Sequence, residues 1–406
     1  MVLSRKTLVM PTSHFLTLLF CLLITSTVLA AEPLIITEQL LHLRPSGDRE
    51  WTTFPEKPQA DELNIRFEAE ANPGETALLL RQQDVKQTWN VELNGKVLGK
   101  LVRHEQDQQL LLPVPPKSLK TGINQLRIFQ SGKRDPDDIQ VGEIVLLTEP
   151  ASKFLAETQL SIEVTDKETK QGIPCRITIV NAEGALVVTA AESNARQAVR
   201  TGVIYTRDGK TQFPLPAGEY TVYAGRGFEY GVDQHRLILK KGDQKKLDLK
   251  IGREVDTSGY VSCDTHIHTL THSGHGDCSM EERMLTLAGE QIEFPIATDH
   301  NQQIDYEPLA QKLNVRSYFT PVIGNEVTTK WGHFNVFPVQ SQGPVPDFKL
   351  SSWNEIFESI YETPHVKAVI LNHARDLHSK YRPLDPVNHL SLTGETLDDW
   401  RLQANL

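Results

Sequence analysis

The chain has 406 residues, 39% of them hydrophobic and 23% charged, with 25 Gly and 23 Pro. This composition supports several cores and excludes a collagen-like, low-complexity or wholly disordered polypeptide. The formal net charge is −10 and no Lys/Arg block interrupts it, which argues against nucleic acid as a partner.

Residues 1–30 read as an export signal. Arg5 and Lys6 precede an apolar run at 15–29, no acidic residue occurs before Glu32, and Val28-Leu29-Ala30 places small residues at the cleavage positions. The run is shorter than the ~20 residues that span a bilayer. Cleavage is therefore expected, giving a periplasmic or extracellular protein without a stable membrane span. Cys175, Cys263 and Cys278 remain after this segment. An odd count calls for no disulfide framework, and Cys263 and Cys278 either pair or stay as buried free thiols.

Residues 31–150 predict an all-β unit. Alternating runs lie at 63–69, 77–81, 89–93, 125–129 and 141–147. Asn94-Gly95 between two such runs marks a hairpin. The unit resembles the jelly-roll, galactose-binding-like modules of secreted hydrolases, which implies an accessory role and a glycan as a candidate partner. Asp135, Asp137 and Asp138 form an acidic loop, either a Ca²⁺ site or a solvated turn. Residues 155–252 predict a second β unit of Ig-like or carboxypeptidase-regulatory-like type, with strand-like runs at 160–164, 175–180, 185–189, 220–224 and 237–239. It carries no catalytic constellation and is expected to pack on the unit that follows.

The character changes at residues 254–406. Strand-like runs alternate with helical stretches at 279–290 and 352–362, a pattern of α/β folds with parallel strands. Ten of the 14 His fall in this stretch, where even spreading would place about five. Four apolar runs end in chemistry: at His266-Ile267-His268, Asp299-His300-Asn301, Gly324-Asn325-Glu326 and Asn372-His373. Gly332-His333 instead opens a run, as a reverse strand or hairpin would. Strand alternation puts His266 and His268 on one face. Imidazoles and carboxylates converging at strand ends need a cation to neutralise and order them. This donor set suits Zn²⁺, Fe or Mn²⁺ better than Mg²⁺ or Ca²⁺. Lys330 and Arg375 are candidate substrate anchors.

The ordered segments Asp264-Thr265-His266-Ile267-His268-Thr269, His275-Gly276-Asp277, Ala297-Thr298-Asp299-His300-Asn301, Gly324-Asn325-Glu326, Gly332-His333-Phe334-Asn335 and Asn372-His373 resemble the PHP (polymerase and histidinol phosphatase) superfamily. Within it the chain looks most like the exported CehA/McbA (carbaryl hydrolase-like) metallohydrolases. The resemblance implies an α/β PHP-type distorted (β/α)7 barrel holding two or three divalent transition ions; with the two N-terminal all-β sandwich modules read above, the protein is expected to be multidomain. The resemblance also implies His266 and His268 as ligands of one metal, Glu326 as the bridging carboxylate, His333 and His373 as ligands of a second metal, and Asp277 and His300 as ligands of a third. His272 and His275 compete with Asp277, which is preferred for its place before the helix. Asp264 and Asp299 are expected to orient neighbouring imidazoles. The implied activity is hydrolysis of a small-molecule ester, phosphoester, amide or carbamate by metal-activated water, with Glu326, His373 and Arg375 in the catalytic set. The family's late Asp-x-His pair has no match downstream of His373, where Asp376-Leu377-His378 follows too closely. The third unit, at about 150 residues, is accordingly expected to be an incomplete barrel in a truncated chain. The alternative function is a catalytically incomplete, envelope-associated binding protein with glycan-recognising β modules.

Overall fold

The computed structural model describes residues 32–373, apart from residues 46 and 133–136. The expected export signal at 1–30 and the readings placed on Asp135, Arg375, Asp376 and His378 lie outside the described residues. No helix among the described residues is long and apolar enough to cross a membrane.

Eight strands build the first unit: β1 (Leu34–Leu43), β2 (Leu63–Ala69), β3 (Thr76–Gln83), β4 (Trp89–Leu93), β5 (Lys96–Lys100), β6 (Gln108–Val114), β7 (Gly122–Gln130) and β8 (Ile139–Leu147). They form two four-stranded sheets, ordered β1-β8-β3-β6 and β2-β7-β4-β5, that share one core. Alternation sets the layers: in β4, Trp89, Val91 and Leu93 are buried while Asn90 and Glu92 are half-buried. Asn94 and Gly95 both take positive φ, +51° and +80°, as a two-residue hairpin turn requires. Leu63, Leu78, Leu126 and Ile128 meet in the core, each contributing about 1.5–3 kcal/mol by burial.

Of the acidic loop, the described carboxylates, Asp137 and Asp138, are turned into the sandwich rather than solvated, and hydrogen bonds take them up. Asp137 and Asp138 are fully buried. Asp138 takes Nη1 of Arg44 at 2.9 Å, Nε2 of His42 at 2.5 Å and the Glu50 N–H at 2.7 Å. Asp137 accepts from Trp89 Nε1 at 2.7 Å and from the N–H of Gln87 at 2.9 Å. Both carboxylates are spent inside the sandwich.

Helix α1 (Ala151–Leu155) leads to a second sandwich of β9 (Thr158–Asp166), β10 (Cys175–Val180), β11 (Gln197–Arg200), β12 (Val203–Thr206), β13 (Lys210–Leu215), β14 (Gly218–Gly225), β15 (Asp233–Leu239) and β16 (Gln244–Ile251). Its sheets are β11-β12-β10-β14-β15 and β13-β9-β16, packed over Leu160, Ile177, Val222 and Leu249. The run at 185–189 is not a strand. Leu186 instead makes isolated bridges to Val180 and, in the first sandwich, to Gln108.

The remaining described residues hold β17 (Cys263–Ile267), α2 (Leu270–Ser273), α3 (Met280–Gly289), β18 (Phe294–Ala297), α4 (Glu307–Lys312), β19 (Val322–Ile323), β20 (Asn325–Thr329), β21 (Gly332–Phe337), α5 (Trp353–Glu362) and β22 (Ala368–Asn372). Strands β17-β18-β19 pair in parallel, with helices in both crossovers. Strands β20-β21-β22 pair antiparallel.

The expectation of a distorted (β/α)7 barrel is therefore overturned: the described residues are nearly all β, 44% strand and 11% helix, and no such barrel is evident. A barrel needs a crossover after each strand. Here Gly324 alone separates β19 from β20, and Lys330-Trp331 turns β20 straight back into β21. The step at Gly324 is tight. A Cβ there would lie 2.8 Å from Ile296 Cγ2 and 3.0 Å from the Ala297 carbonyl oxygen. Behind the antiparallel sheet, Phe334, Trp353 and Phe357 pack edge to face, with ring centroids 5.1–6.0 Å apart.

Candidate metal centre

The ends of β17 and β18 and the second sheet converge on Glu326. His266 and His268 flank the buried Ile267 and both turn to the same side, with their Nε2 atoms 3.0 Å apart. The Asp264 carboxylate accepts the His266 backbone N–H at 3.0 Å. Thr269 caps the short turn α2, and Gly274, at φ +71°, closes it in the left-handed region. That reversal delivers His275, whose Nε2 lies 2.5 Å from Nε2 of His300 beyond β18. Asn301, at φ +54°, donates its backbone N–H to the Glu326 carbonyl oxygen and accepts the Thr328 N–H on its side chain. It thereby clamps β20 beside His300.

Glu326 itself is fully buried. Its Oε2 lies 2.6 Å from His300 Nδ1 and 3.3 Å from His268 Nε2. Its Oε1 lies 3.3 Å from His333 Nδ1, 3.4 Å from His266 Nε2 and 3.7 Å from His373 Nε2. His333 sits opposite Asn372 in the β21–β22 ladder, and His373 leaves β22 at φ +50°. A chain of amides holds the carboxylate. Asn372 Nδ2 donates to Glu326 Oε1 at 2.9 Å and to Asn335 Oδ1 at 2.7 Å, and Asn335 donates to the Thr265 carbonyl oxygen at 2.7 Å. These bonds tie both sheets to one oxygen.

Three overlapping donor sets result: His268, His275 and His300; His266, Glu326 and His373; His300, Glu326 and His333. Within each set the donor atoms lie within 4.8 Å of one another. Burial pushes the Glu326 carboxyl up, but the imidazoles of His266, His268, His300 and His333 outweigh it and hold the group far below the usual carboxylate range. Burial, reinforced by His300 and His268, pushes the His275 imidazole below its ordinary value, which favours the neutral ligand form.

The donors fit a divalent transition ion on two observations. Oε2 of this buried carboxylate accepts no hydrogen bond of good geometry despite its close ring neighbours. Ring nitrogens also face one another at 2.5 and 3.0 Å, an arrangement that two lone pairs disfavour unless a cation or proton lies between them.

Among the expected ligands, His266, His268, His300, Glu326, His333 and His373 are brought together, and Asp277 is not. Its carboxylate is 60% exposed and turns to Arg200 Nε at 3.4 Å and Arg283 Nη2 at 3.6 Å. There it lines a cavity of about 210 Å³ between β11–β12 and α3. His275, ranked below Asp277 from sequence, takes the place by the three-imidazole set. His272 is in none of the sets. Asp264 and Asp299 contact the histidine segments as hydrogen-bond acceptors. Lys330 lies with Nζ 5.4 Å from the Trp331 ring centroid, and Arg375 is outside the described residues. Cys175, Cys263 and Cys278 are all free, Cys263 being exposed. Sequence reasoning passed over Ser273 and Thr328, and gave Asn335 no role of its own; the roles of these small polar residues arise from contacts between elements. Their one sequence signal is proximity to the histidine motifs.

No family model matches the chain, and no curated protein matches it. Among solved structures it is similar to the major pilin subunit of Bacillus cereus, at 11% identity over 47% of this chain and 64% of that one, with a TM-score of 0.20. It is similar to a β-glucuronidase of Faecalibacterium prausnitzii at 12% identity over 72% of this chain and 60% of that one, with a TM-score of 0.20. It is also similar to the minor pilin of Streptococcus agalactiae at 10% identity over 46% of this chain and 87% of that one, with a TM-score of 0.23. The chain thus covers less than two thirds of the length of the first two. At TM-scores this low the likenesses carry no argument about what the chain does.

Proposed function

We propose that the chain is a divalent-metal-dependent hydrolase acting on a small molecule through an ester, phosphoester, amide or carbamate bond. One observation supports this above the rest: five imidazoles approach the fully buried Glu326 carboxylate at 2.6–3.7 Å. The ordered motifs that resemble the PHP superfamily and its CehA/McbA branch support the same reading. His266, His268, His275, His300, Glu326, His333 and His373 would hold two or three ions of the Zn, Mn or Fe kind. A bound ion of this kind brings the pKa of water towards neutrality and polarises the electrophilic oxygen of the substrate. The chain's own residues prepare the ground for that chemistry. Glu326 supplies the negative charge, and Asn372 fixes the direction of its Oε1. His373 keeps 38% side-chain exposure, so a small molecule could reach it.

The test is purified protein loaded with zinc, manganese or ferrous ion, assayed on an aryl phosphate, an aryl ester and an aryl carbamate. Hydrolysis should vanish on chelation and return with metal. Glu326→Gln should lower metal affinity at least ~100-fold and rate by a similar factor, since it removes a charged ligand. Full activity in metal-free protein, or unchanged metal content in Glu326→Gln, defeats the reading.

A second reading rests on the first sandwich. A cavity of about 300 Å³ there is lined by Asp61, Glu62, Arg127, Phe129 and Gln130, groups that pair with sugar hydroxyls and ring faces. Arg127 covers one face of Phe129, with the guanidinium 4.8 Å from the ring centroid. It suits an envelope-associated, glycan-binding protein. Metal uptake without turnover, together with retention on a glycan array, selects it.

A further inference from the structure

We propose that Ser273 is a positioning residue that relays the Asp299 carboxylate to His268 and thereby sets which ring nitrogen of His268 faces the cluster with a lone pair. The inference rests on the metal-binding reading above and deepens it.

Ser273 stands at the end of α2, and its Oγ has three neighbours. It lies 2.6 Å from Asp299 Oδ1, 3.0 Å from His268 Nδ1 and 3.3 Å from the His300 backbone N. A hydroxyl has one proton to give, and a carboxylate only accepts. The Ser273 proton therefore goes to Asp299. The oxygen is left to accept from the His300 N–H and from His268, so His268 carries its proton on Nδ1. Its Nε2 is then the atom with the free lone pair. That atom is the one that faces the site, 3.3 Å from Glu326 Oε2 and 3.0 Å from His266 Nε2.

Asp299 is equipped for this task. It is fully buried, and the same Oδ1 accepts the Thr269 N–H at 2.8 Å and the Thr269 hydroxyl at 3.0 Å. Oδ2 lies 3.3 Å from the Tyr306 hydroxyl. The carboxylate is thus immobilised by the segment that follows His268 and by the start of α4. One serine oxygen ties the tautomer of His268 to the backbone that carries His300, and both rings belong to the same three-imidazole set.

The experiment titrates Zn²⁺ into full-length protein against a chromophoric chelator, comparing the native chain with Ser273→Ala and Ser273→Thr. Ser273→Ala should weaken one class of zinc site about 10–100-fold, the usual effect of losing a partner behind a ligand. Ser273→Thr, which keeps the hydroxyl, should restore it to within a few-fold. Native-like affinity in Ser273→Ala overturns the relay while leaving the metal reading intact. A native chain that takes up no zinc defeats the metal reading instead. The relay is then judged without any variant, by nitrogen-15 NMR of histidine-labelled, metal-free native protein. A neutral His268 ring with its proton on Nδ1 upholds it, and a proton on Nε2, with or without one on Nδ1, overturns it. The same spectrum decides the matter if Ser273→Ala does not fold.

Discussion

Asp277 and His275 lie two residues apart, yet His275 alone reaches the cluster. Two guanidiniums hold the carboxylate elsewhere, Arg200 from the second sandwich and Arg283 from α3. The turn closed by Gly274 brings the exposed imidazole to His300 instead. The difference is measurable. Asp277→Asn should leave the zinc content of the protein unchanged, whereas His275→Ala should remove about one ion per chain, read by plasma mass spectrometry after gel filtration. Equal loss in both variants would return Asp277 to the ligand set.

Helix α3 connects the second sandwich to the site. Ser279 and Glu282 form a reciprocal capping box at its start, so two of its orphan N–H groups are satisfied. Glu282 is also held from the sandwich by Arg200, at 3.0 and 3.2 Å, and by Ser193 Oγ at 2.5 Å. At the other end, Glu290 takes Arg176 and the Tyr205 hydroxyl, at 2.8 and 2.6 Å. The sandwich is therefore a clamp on the helix that follows the His275 loop. Burial pushes the Glu282 carboxyl up, but hydrogen bonds from Ser193, Arg200 and the Ser279 N–H outweigh it and leave the group below its ordinary range. A depressed folded value contributes stability above the unfolded carboxylate value, and that contribution is lost as pH falls through the folded value. Urea denaturation at successive pH values should show stability declining below about pH 4, the ordinary glutamate range, and the decline should be smaller in Glu282→Gln. Glu282→Ala, which also breaks the cap, should cost about 1 kcal/mol at neutral pH. A pH profile identical in native and Glu282→Gln protein would remove this carboxylate from the account.

Across the whole molecule, the cores are unequally shared. The core of the first sandwich draws on its own strands and the segments between them. Its ties to the second include paired backbone bonds around Leu186, at 2.8 and 2.9 Å. In contrast, Ala198 and Tyr205 of the second sandwich sit in one cluster with Met284, Leu285 and Phe319 of the third unit. Apolar burial makes unfolding cooperative where it is continuous, and a few hydrogen bonds do not. Calorimetry should resolve two transitions, one from the first sandwich and one from the second sandwich with the site-bearing unit. A single transition whose van't Hoff and calorimetric enthalpies agree for the full chain would contradict this.

Local chemistry made much of this legible from sequence. The strand β2 was readable from alternation, and the β4–β5 hairpin from Asn94-Gly95, because period and turn geometry are properties of neighbouring residues. The convergence of His266, His268, His300, Glu326, His333 and His373 was expected because each stands at the edge of an apolar run. Tertiary structure decided the rest. Whether β20 continues a parallel barrel or turns back as a hairpin depends on which strand edges meet, and the tight step at Gly324 leaves no length for a crossover. Whether Asp277 meets a metal or a guanidinium depends on Arg200, 77 residues earlier in the chain. Periodicity carries no record of partners so distant, since hydrogen bonds and ion pairs form between whatever groups packing brings within reach.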